Sequence, residues 1–189
     1  VRLQLPANDP FNSYAGESVK SFSSGKSWRS YSMANSRHNG PAIDLHIRHM
    51  PGGKFTDHVF GVMKEKEIQR IEGPYGSFFL REDSDKPMVL LASGTGFAPI
   101  KALIEHMQLR GITRPATFYW GGRRPQDLYL DAWVQQKVAE MPNLTYVPVI
   151  SNATPEDAWT GRTGFMHKAV LADLPARLVL MPRSREAWP

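Results

Sequence analysis

Two glycines that follow a short apolar run mark a candidate anion-binding turn in this sequence. The run from Met88 to Ala92 predicts a strand buried on both faces, as in a parallel sheet. Gly94 and Gly96 let the backbone turn tightly and approach a ligand closely. Pro99 suits the first turn of the helix predicted at 99–110. The N–H groups at such a helix start favour a diphosphate, although a βα turn without a ligand remains the alternative because a third glycine is missing.

The segment Arg29-Ser30-Tyr31-Ser32, between two candidate strands, could hold a flat phosphorylated cofactor. An arginine binds phosphate through two parallel hydrogen bonds. In an extended chain Tyr31 lies on the same side as Arg29 and can stack on an aromatic ring, whose edge Ser32 can reach. Four residues are a short motif, so an ordinary strand remains the alternative.

A second glycine pair, Gly52-Gly53, precedes Thr56 and a short helix predicted from Phe55 to Met63. A glycine turn with a hydroxyl at a helix start can bind an anion. A capped helix after a hairpin is an equally good interpretation.

Two further patterns concern metal and nucleotide binding. His46 and His49 fall on opposite faces of a strand, so ordinary histidines are favoured over metal ligands. The segment Gly121-Gly122-Arg123-Arg124 follows a predicted parallel strand, at the edge where such sheets bind ligands. No acidic residue ends this strand, so the carboxylate that binds ribose in a standard Rossmann unit is missing. The two arginines are instead candidates for contacts with phosphate.

The elements that position these residues divide the chain near the polar segment 81–87. Residues 1–83 contain short strands and Gly/Pro turns, which predict an antiparallel β-barrel. We expect strands at 43–48 and 67–72, the latter ended by Gly73-Pro74-Tyr75-Gly76, whereas the Ser/Lys-rich segment 19–28 is a poor strand.

Residues 84–189 alternate strand and helix, which predicts a parallel sheet flanked by helices. After the run at 88–92 and its helix, the expected elements are strands at 116–120, 145–150 and 178–181 and helices near 131–140 and 165–173.

Composition narrows the functional classes. The 189 residues include no cysteine, which excludes disulfides and an iron–sulfur cluster held by this chain alone. Basic residues are scattered, so the net charge of +5 suits an acidic partner or a phosphorylated ligand better than a nucleic acid. No apolar run is long enough to span a membrane and no signal pattern is present, so the cytoplasm is the default expectation.

Four motifs in this order resemble the ferredoxin–NADP reductase superfamily, in which a flavin-binding barrel precedes a nicotinamide-dinucleotide domain. The resemblance covers about residues 28–172. The segments at 32–35, 46–53 and 119–124 are most similar to the CDP-6-deoxy-3,4-glucoseen reductase group, which passes electrons from NAD(P)H through a flavin and a [2Fe–2S] cluster. The motifs are Arg29 to Ser32, Gly52-Gly53 with Thr56, Gly73 to Gly76, and Gly94 to Pro99.

The resemblance implies a role for each motif residue. Arg29 and Ser30 would hold the FAD diphosphate, Tyr31 would stack on the flavin, and Ser32 would lie near its reactive nitrogen. Thr95 would face the nicotinamide. The remaining cofactor contacts implied are His46, Ile47 and Arg48 at the FAD diphosphate and adenosine, Gly52, Gly53 and Thr56 at phosphate, and Gly94, Gly96, Pro99, Gly122 and Arg123 at the pyridine nucleotide.

The expected activity is hydride transfer from NAD(P)H to FAD, followed by electron transfer to an iron–sulfur acceptor on a separate chain or domain.

The family pattern also includes earlier barrel strands, a late Cys-Gly-Pro motif and, in the most similar group, a cysteine-rich ferredoxin domain, none of which this sequence contains. We therefore expect a chain truncated at both ends. A free-flavin reductase and a weakly active or inactive nucleotide-binding remnant are the alternatives.

Overall fold

A computed structural model describes residues 1–6, 11–23, 27–36, 38 and 40–174. The first part of the chain forms two small antiparallel sheets, joined by a single bridge between Met33 and Leu45. One sheet pairs β1 with β4, and the other has the order β3-β2-β5. The elements are β1 (Arg2–Gln4), β2 (Ser18–Ser23), β3 (Ser27–Ser32), β4 (Ala42–Asp44), α1 (Lys54–Gly61) and β5 (Ile71–Tyr75).

The second part is a four-stranded parallel sheet in the order β6-β7-β8-β9, so the alternation of strand and helix is confirmed. The elements are β6 (Met88–Ser93), α2 (Phe97–Leu109), β7 (Ala116–Gly122), α3 (Asp131–Glu140), β8 (Leu144–Ile150), β9 (Arg162–Thr163) and α4 (Met166–Asp173).

The main core lies between this sheet and the helices α2 and α3. Ile100, Leu103, Ile104 and Met107 of α2 recur at helical spacing and are buried. At the start of α2, the ring of Phe97 stacks on that of Trp120, with centroids 4.1 Å apart. Helix α4 covers the opposite face, where it packs on Tyr119 and Val149. The central strand β7 is therefore buried on both faces.

The prediction that both faces of β6 are buried is wrong. Val89 and Leu91 are 44% and 45% exposed, whereas Leu90 and Ala92 are buried. Strand β6 lies at the edge of the described sheet, and α4 reaches β7 and β8 instead. An apolar run therefore predicted the strand correctly but not the number of faces that are covered.

Two strand predictions in the antiparallel part are also wrong. The segment 19–28 contributes to both β2 and β3, because the ladder between these strands and the burial of Val19 outweigh the weak propensity of serine and lysine. The strand expected at 67–72 instead begins at Ile71 and continues through Gly73, Pro74 and Tyr75, where a bulge in its pairing with β2 accommodates the shift in register.

The strand expected at 43–48 is shorter than predicted. Regular pairing ends at Asp44, yet Ile43 and Leu45 are buried as the alternation predicts. The strand expected at 178–181 lies outside the described residues. No helix in the described part of the chain is long and apolar enough to cross a membrane.

A core substitution tests the packing of α2. Ile104 is fully buried, so Ile104→Ala should lower the free energy of unfolding by about 2–5 kcal/mol. Ile68 is 96% exposed, and Ile68→Ala should change it by less than about 0.5 kcal/mol. Urea unfolding of the two variants measures both values. Equal effects would contradict the described packing.

Candidate functional site

The candidate site is a cleft of about 390 Å³ between the antiparallel and parallel parts. The antiparallel part contributes the segment that follows β4. The parallel part contributes the turn after β6 and the loop after β7. The cleft thus brings together five of the sequence-predicted residues. Its lining consists of Val1, Leu45, His46, Ile47, Arg48, Gly94, Thr95, Gln126, Asp127 and Tyr129.

The turn Gly94–Gly96 is a short 3-10 helix that leads directly into α2. Gly94 has φ of +51°, a conformation that favours glycine. The indole N–H of Trp120 donates to the Gly94 carbonyl at 3.2 Å and holds this peptide in place. A Cβ atom added at Gly94 or Gly96 would meet nothing within 4 Å, so both glycines border open space. Pro99 lies in the first turn of α2, as predicted.

The segment Arg29 to Ser32 lies within β3 rather than between strands. Its extended conformation places Arg29 and Tyr31 on one side of the strand, as expected. Arg29 and Ser30 are exposed, and Tyr31 and Ser32 are partly buried. The Tyr31 ring lies 5.3 Å from that of Phe55, and burial raises the pKa of its phenol. An exposed cation beside a half-buried aromatic ring suits a phosphorylated aromatic ligand.

The Gly52-Gly53 turn leads into α1, with Gly53 as the N-cap residue. The Thr56 hydroxyl donates to the Met50 carbonyl at 2.9 Å, and the Gly52 N–H donates to the Asp57 carboxylate at 3.0 Å. Both polar groups are therefore engaged within the turn. A Cβ atom at Gly53 would come within 2.7 Å of the Thr56 oxygen, which explains the need for glycine. The phosphate contact expected here stays a prediction.

At the end of β7, Gly122 is followed by two arginines with different surroundings. The guanidinium of Arg124 donates to Thr154 and Asp157, both at 2.9 Å. Arg123 is exposed; its backbone N–H donates to Asp127 at 2.8 Å, and its carbonyl accepts from the Asn152 N–H at 2.9 Å. Of the two side chains, that of Arg123 is the better placed to meet a ligand.

The two histidines lie beyond the end of β4 rather than on a strand, and they have different partners. His46 Nδ1 lies 2.7 Å from the Tyr129 hydroxyl, whereas His49 Nε2 lies 2.8 Å from Asp57. Burial and the nearby Lys101 cation lower the pKa of His46 to about 4, so its imidazole is neutral at pH 7. Within the described ranges, no three histidine or acidic side chains are grouped as a metal site.

The sequence did not predict five of the ten lining residues, which are Val1 and Leu45 in the antiparallel part and Gln126, Asp127 and Tyr129 after β7. A position after a parallel strand is the signal that points to Asp127 and Gln126, because ligands bind at the carboxyl edge of such sheets. No local pattern identifies Tyr129, since its partner His46 is 83 residues away.

The residues present fit two cofactors. The exposed Arg29 and half-buried Tyr31 suit the phosphate and ring of a flavin nucleotide. The open turn at Gly94 to Gly96 suits the diphosphate of a pyridine dinucleotide. The cleft is lined by Leu45 to Arg48 on one side and by Gly94 and Thr95 on the other, and its lining does not include Arg29 or Tyr31.

Comparisons with known proteins agree with this geometry. The family described as oxidoreductase FAD-binding domain matches residues 1–80, and the oxidoreductase NAD-binding domain matches residues 90–184. A CDP-6-deoxy-L-threo-D-glycero-4-hexulose-3-dehydrase reductase from Yersinia pestis is 39% identical over 93% of this chain and 52% of its own length. An NAD(P)H-flavin reductase from Aliivibrio fischeri is 34% identical over 91% of this chain and 74% of its own length.

A solved cytochrome P450 reductase from Amycolatopsis superposes with a TM-score of 0.79 and 32% identity, over 89% of this chain and 51% of that one. The chain spans about half the length of the Yersinia relative and of this structure. The family matches extend over both structural parts described above. This chain belongs to the ferredoxin–NADP reductase superfamily and carries its FAD-binding and NAD-binding domains.

Proposed function

We propose that this chain transfers a hydride from NAD(P)H to bound FAD and passes the electrons to an iron–sulfur acceptor. The observation that carries the proposal is the cleft, where the turn at Gly94 and Thr95 faces the segment from His46 to Arg48. By the family resemblance, these are the nicotinamide and flavin sides. The names of the Yersinia and Amycolatopsis relatives, both reductases, support the same direction of electron flow.

In this proposal the protein binds and orients, while the nicotinamide and flavin supply the hydride chemistry when bound. Arg29 and Ser30 hold the FAD diphosphate, Tyr31 supports the flavin ring, and Ser32 orients its polar edge. Thr95 orients the nicotinamide. The other cofactor contacts are His46, Ile47, Arg48, Gly52, Gly53 and Thr56 toward FAD, and Gly94, Gly96, Pro99, Gly122 and Arg123 toward NAD(P)H.

The acceptor is on another chain or domain, because this sequence has no cysteine to hold an iron–sulfur cluster. The net charge of +5 suits an acidic partner. We place the boundary between the FAD-binding and NAD(P)-binding domains between residues 83 and 84, within the polar segment that precedes β6.

A free-flavin reductase is the second candidate. Its support is the Aliivibrio NAD(P)H-flavin reductase, of whose length this chain covers 74%. In that case FAD behaves as a loosely held substrate rather than as a resident cofactor. The two functions therefore differ in the affinity for flavin.

The first test is the absorbance spectrum of the purified protein after FAD is added and unbound flavin is removed, followed by anaerobic addition of NADH or NADPH. We expect retained flavin that bleaches, and the faster nucleotide identifies the preferred donor. Reduction of added flavin without retention would support the free-flavin reductase. Retained flavin that does not bleach, or no flavin interaction at all, would favour an inactive remnant.

The flavin contacts are tested by Arg29→Ala and Tyr31→Ala. Loss of a charge-assisted hydrogen bond costs about 1.5–3 kcal/mol, so Arg29→Ala should raise the dissociation constant of FAD about 10- to 100-fold. Loss of aromatic stacking costs about 0.5–1.5 kcal/mol, so Tyr31→Ala should raise it about 2- to 10-fold. Fluorescence titration with FAD measures the constant. Arg110→Ala and Tyr14→Ala remove exposed side chains elsewhere and should leave it unchanged. Parent-like FAD affinity in both test variants would refute these roles.

The dinucleotide turn is tested by Gly96→Val. Gly96 has helical backbone angles and open space in front of it, so valine should fold normally and occupy the space in front of the turn. We expect FAD to stay bound while its reduction by NAD(P)H slows by at least about tenfold, as for a misplaced substrate. Gly61→Val, which also adds a side chain in open space, is the matched control. Unchanged stopped-flow reduction in Gly96→Val would eliminate this turn as the dinucleotide site.

A further inference from the structure

One hydrogen bond joins the two domains at the wall of the cleft. Nδ1 of His46, which follows β4, lies 2.7 Å from the hydroxyl of Tyr129, which follows β7. The two rings meet edge to face, with centroids 5.4 Å apart. Both residues line the cleft. The bond therefore ties the flavin side of the cleft directly to the dinucleotide side.

Tyr129 is also tied to the glycine turn through a cluster of aromatic rings. Its ring meets Trp120 edge-on at 5.3 Å and Phe97 at 6.2 Å. Trp120 in turn donates its indole N–H to the carbonyl of Gly94. A displacement of Tyr129 is thus transmitted through packed rings to the turn where the dinucleotide is proposed to bind.

The domains make further contacts along α2, away from the cleft. Lys101 Nζ donates to the Ala34 carbonyl at 3.0 Å, and the Ser36 N–H donates to Glu105 at 3.2 Å. These bonds fix one side of the interface. The bond between His46 and Tyr129 supplies a second point of attachment, and two separated points restrict rotation about either one.

We propose that His46 and Tyr129 form an interdomain latch, a pair of positioning residues that sets the width of the cleft between the segment 45–48 and the turn Gly94–Gly96. The consequence for catalysis rests on the proposed function. Hydride transfer needs the reacting atoms within about 3–3.5 Å, and a displacement of about 1 Å lowers the rate about 100-fold. A fixed cleft width is therefore a requirement of the reaction.

The chemistry of the bond agrees with this role. A neutral imidazole has one nitrogen that accepts and one that donates, and a phenol can donate to the former. The charged groups that act on His46 are the Lys101 cation, the N-terminal ammonium of Val1 and the Asp44 carboxylate. Because Nδ1 is engaged by Tyr129, the ring contributes more to the interface than to phosphate binding. The FAD contact proposed for His46 therefore involves its other ring nitrogen and its backbone.

The latch is tested without any cofactor by Tyr129→Phe. Loss of the hydroxyl removes the hydrogen bond that it donates to the neutral imidazole, so the pKa of His46 should rise from about 4 toward the ordinary value of 6.5. Proton NMR titration of the cofactor-free protein measures it, and His46→Gln identifies the resonance among the six histidines. Tyr146→Phe is the matched control, because this tyrosine donates to Asp131 within its own domain. An unchanged titration of His46 in Tyr129→Phe would overturn the latch.

In the protein loaded with FAD, Tyr129→Phe should retain parent-like affinity for FAD. The rate constant of flavin reduction should fall about tenfold or more, and the long-wavelength absorbance of a stacked flavin–nicotinamide pair should weaken. His46→Gln should give the same loss, and the double variant should lose little more, as expected for two residues that act together. Additive losses, or parent-like reduction in both single variants, would refute the positioning role. A parent protein that binds no FAD would refute the proposed function, and the NMR titration would still decide whether the latch exists.

Discussion

The packing of Phe97 on Trp120 is the contact on which the cleft depends. Both side chains are completely buried, with ring centroids 4.1 Å apart. Aromatic pairs of this kind add about 0.5–1.5 kcal/mol to the free energy gained from burial. Because Phe97 is the first residue of α2 and Trp120 lies near the end of β7, their contact fixes the helix start against the sheet edge. The turn between β6 and α2 is then held at the mouth of the cleft, where its backbone faces open space.

Hydrogen bonds within the protein engage some of the polar groups at the cleft and leave others exposed. Asp127 accepts the backbone N–H groups of Arg123 and Arg124, so the loop after β7 is closed without using either guanidinium. Asp157 then pairs with Arg124, and hydrogen bonds from Thr154 and Arg124 hold the pKa of that carboxyl below its usual range. The positive charge left exposed at this edge is that of Arg123, which suits a negatively charged ligand.

The antiparallel domain depends on long-range pairing rather than on strong local preferences. A bridge between Met33 and Leu45 links its two sheets, and both of these residues are buried in one small core with Val19 and Ile43. That core positions the segment from His46 to Arg48, which has no regular secondary structure of its own. The flavin side of the cleft is thus held by neighbouring strands, whereas the dinucleotide side is held by a helix and a sheet.

The elements whose signals are local can be predicted from the amino-acid sequence alone. The periodicity of α2, the Gly94-Thr95-Gly96 turn and the alternation of strands and helices depend on near neighbours, and the structure contains each of them. The order of four short motifs was also sufficient to indicate the family.

The partners that these elements meet depend on the tertiary structure. Residues 19–23 and 27–28 belong to strands because β2 and β3 pair with each other, and β6 is half exposed because α4 lies over β7 and β8. Tyr129 belongs to the site because His46, 83 residues away, reaches its hydroxyl. Burial, pairing and interdomain hydrogen bonds join residues distant in the chain, and a local pattern contains no information about such partners.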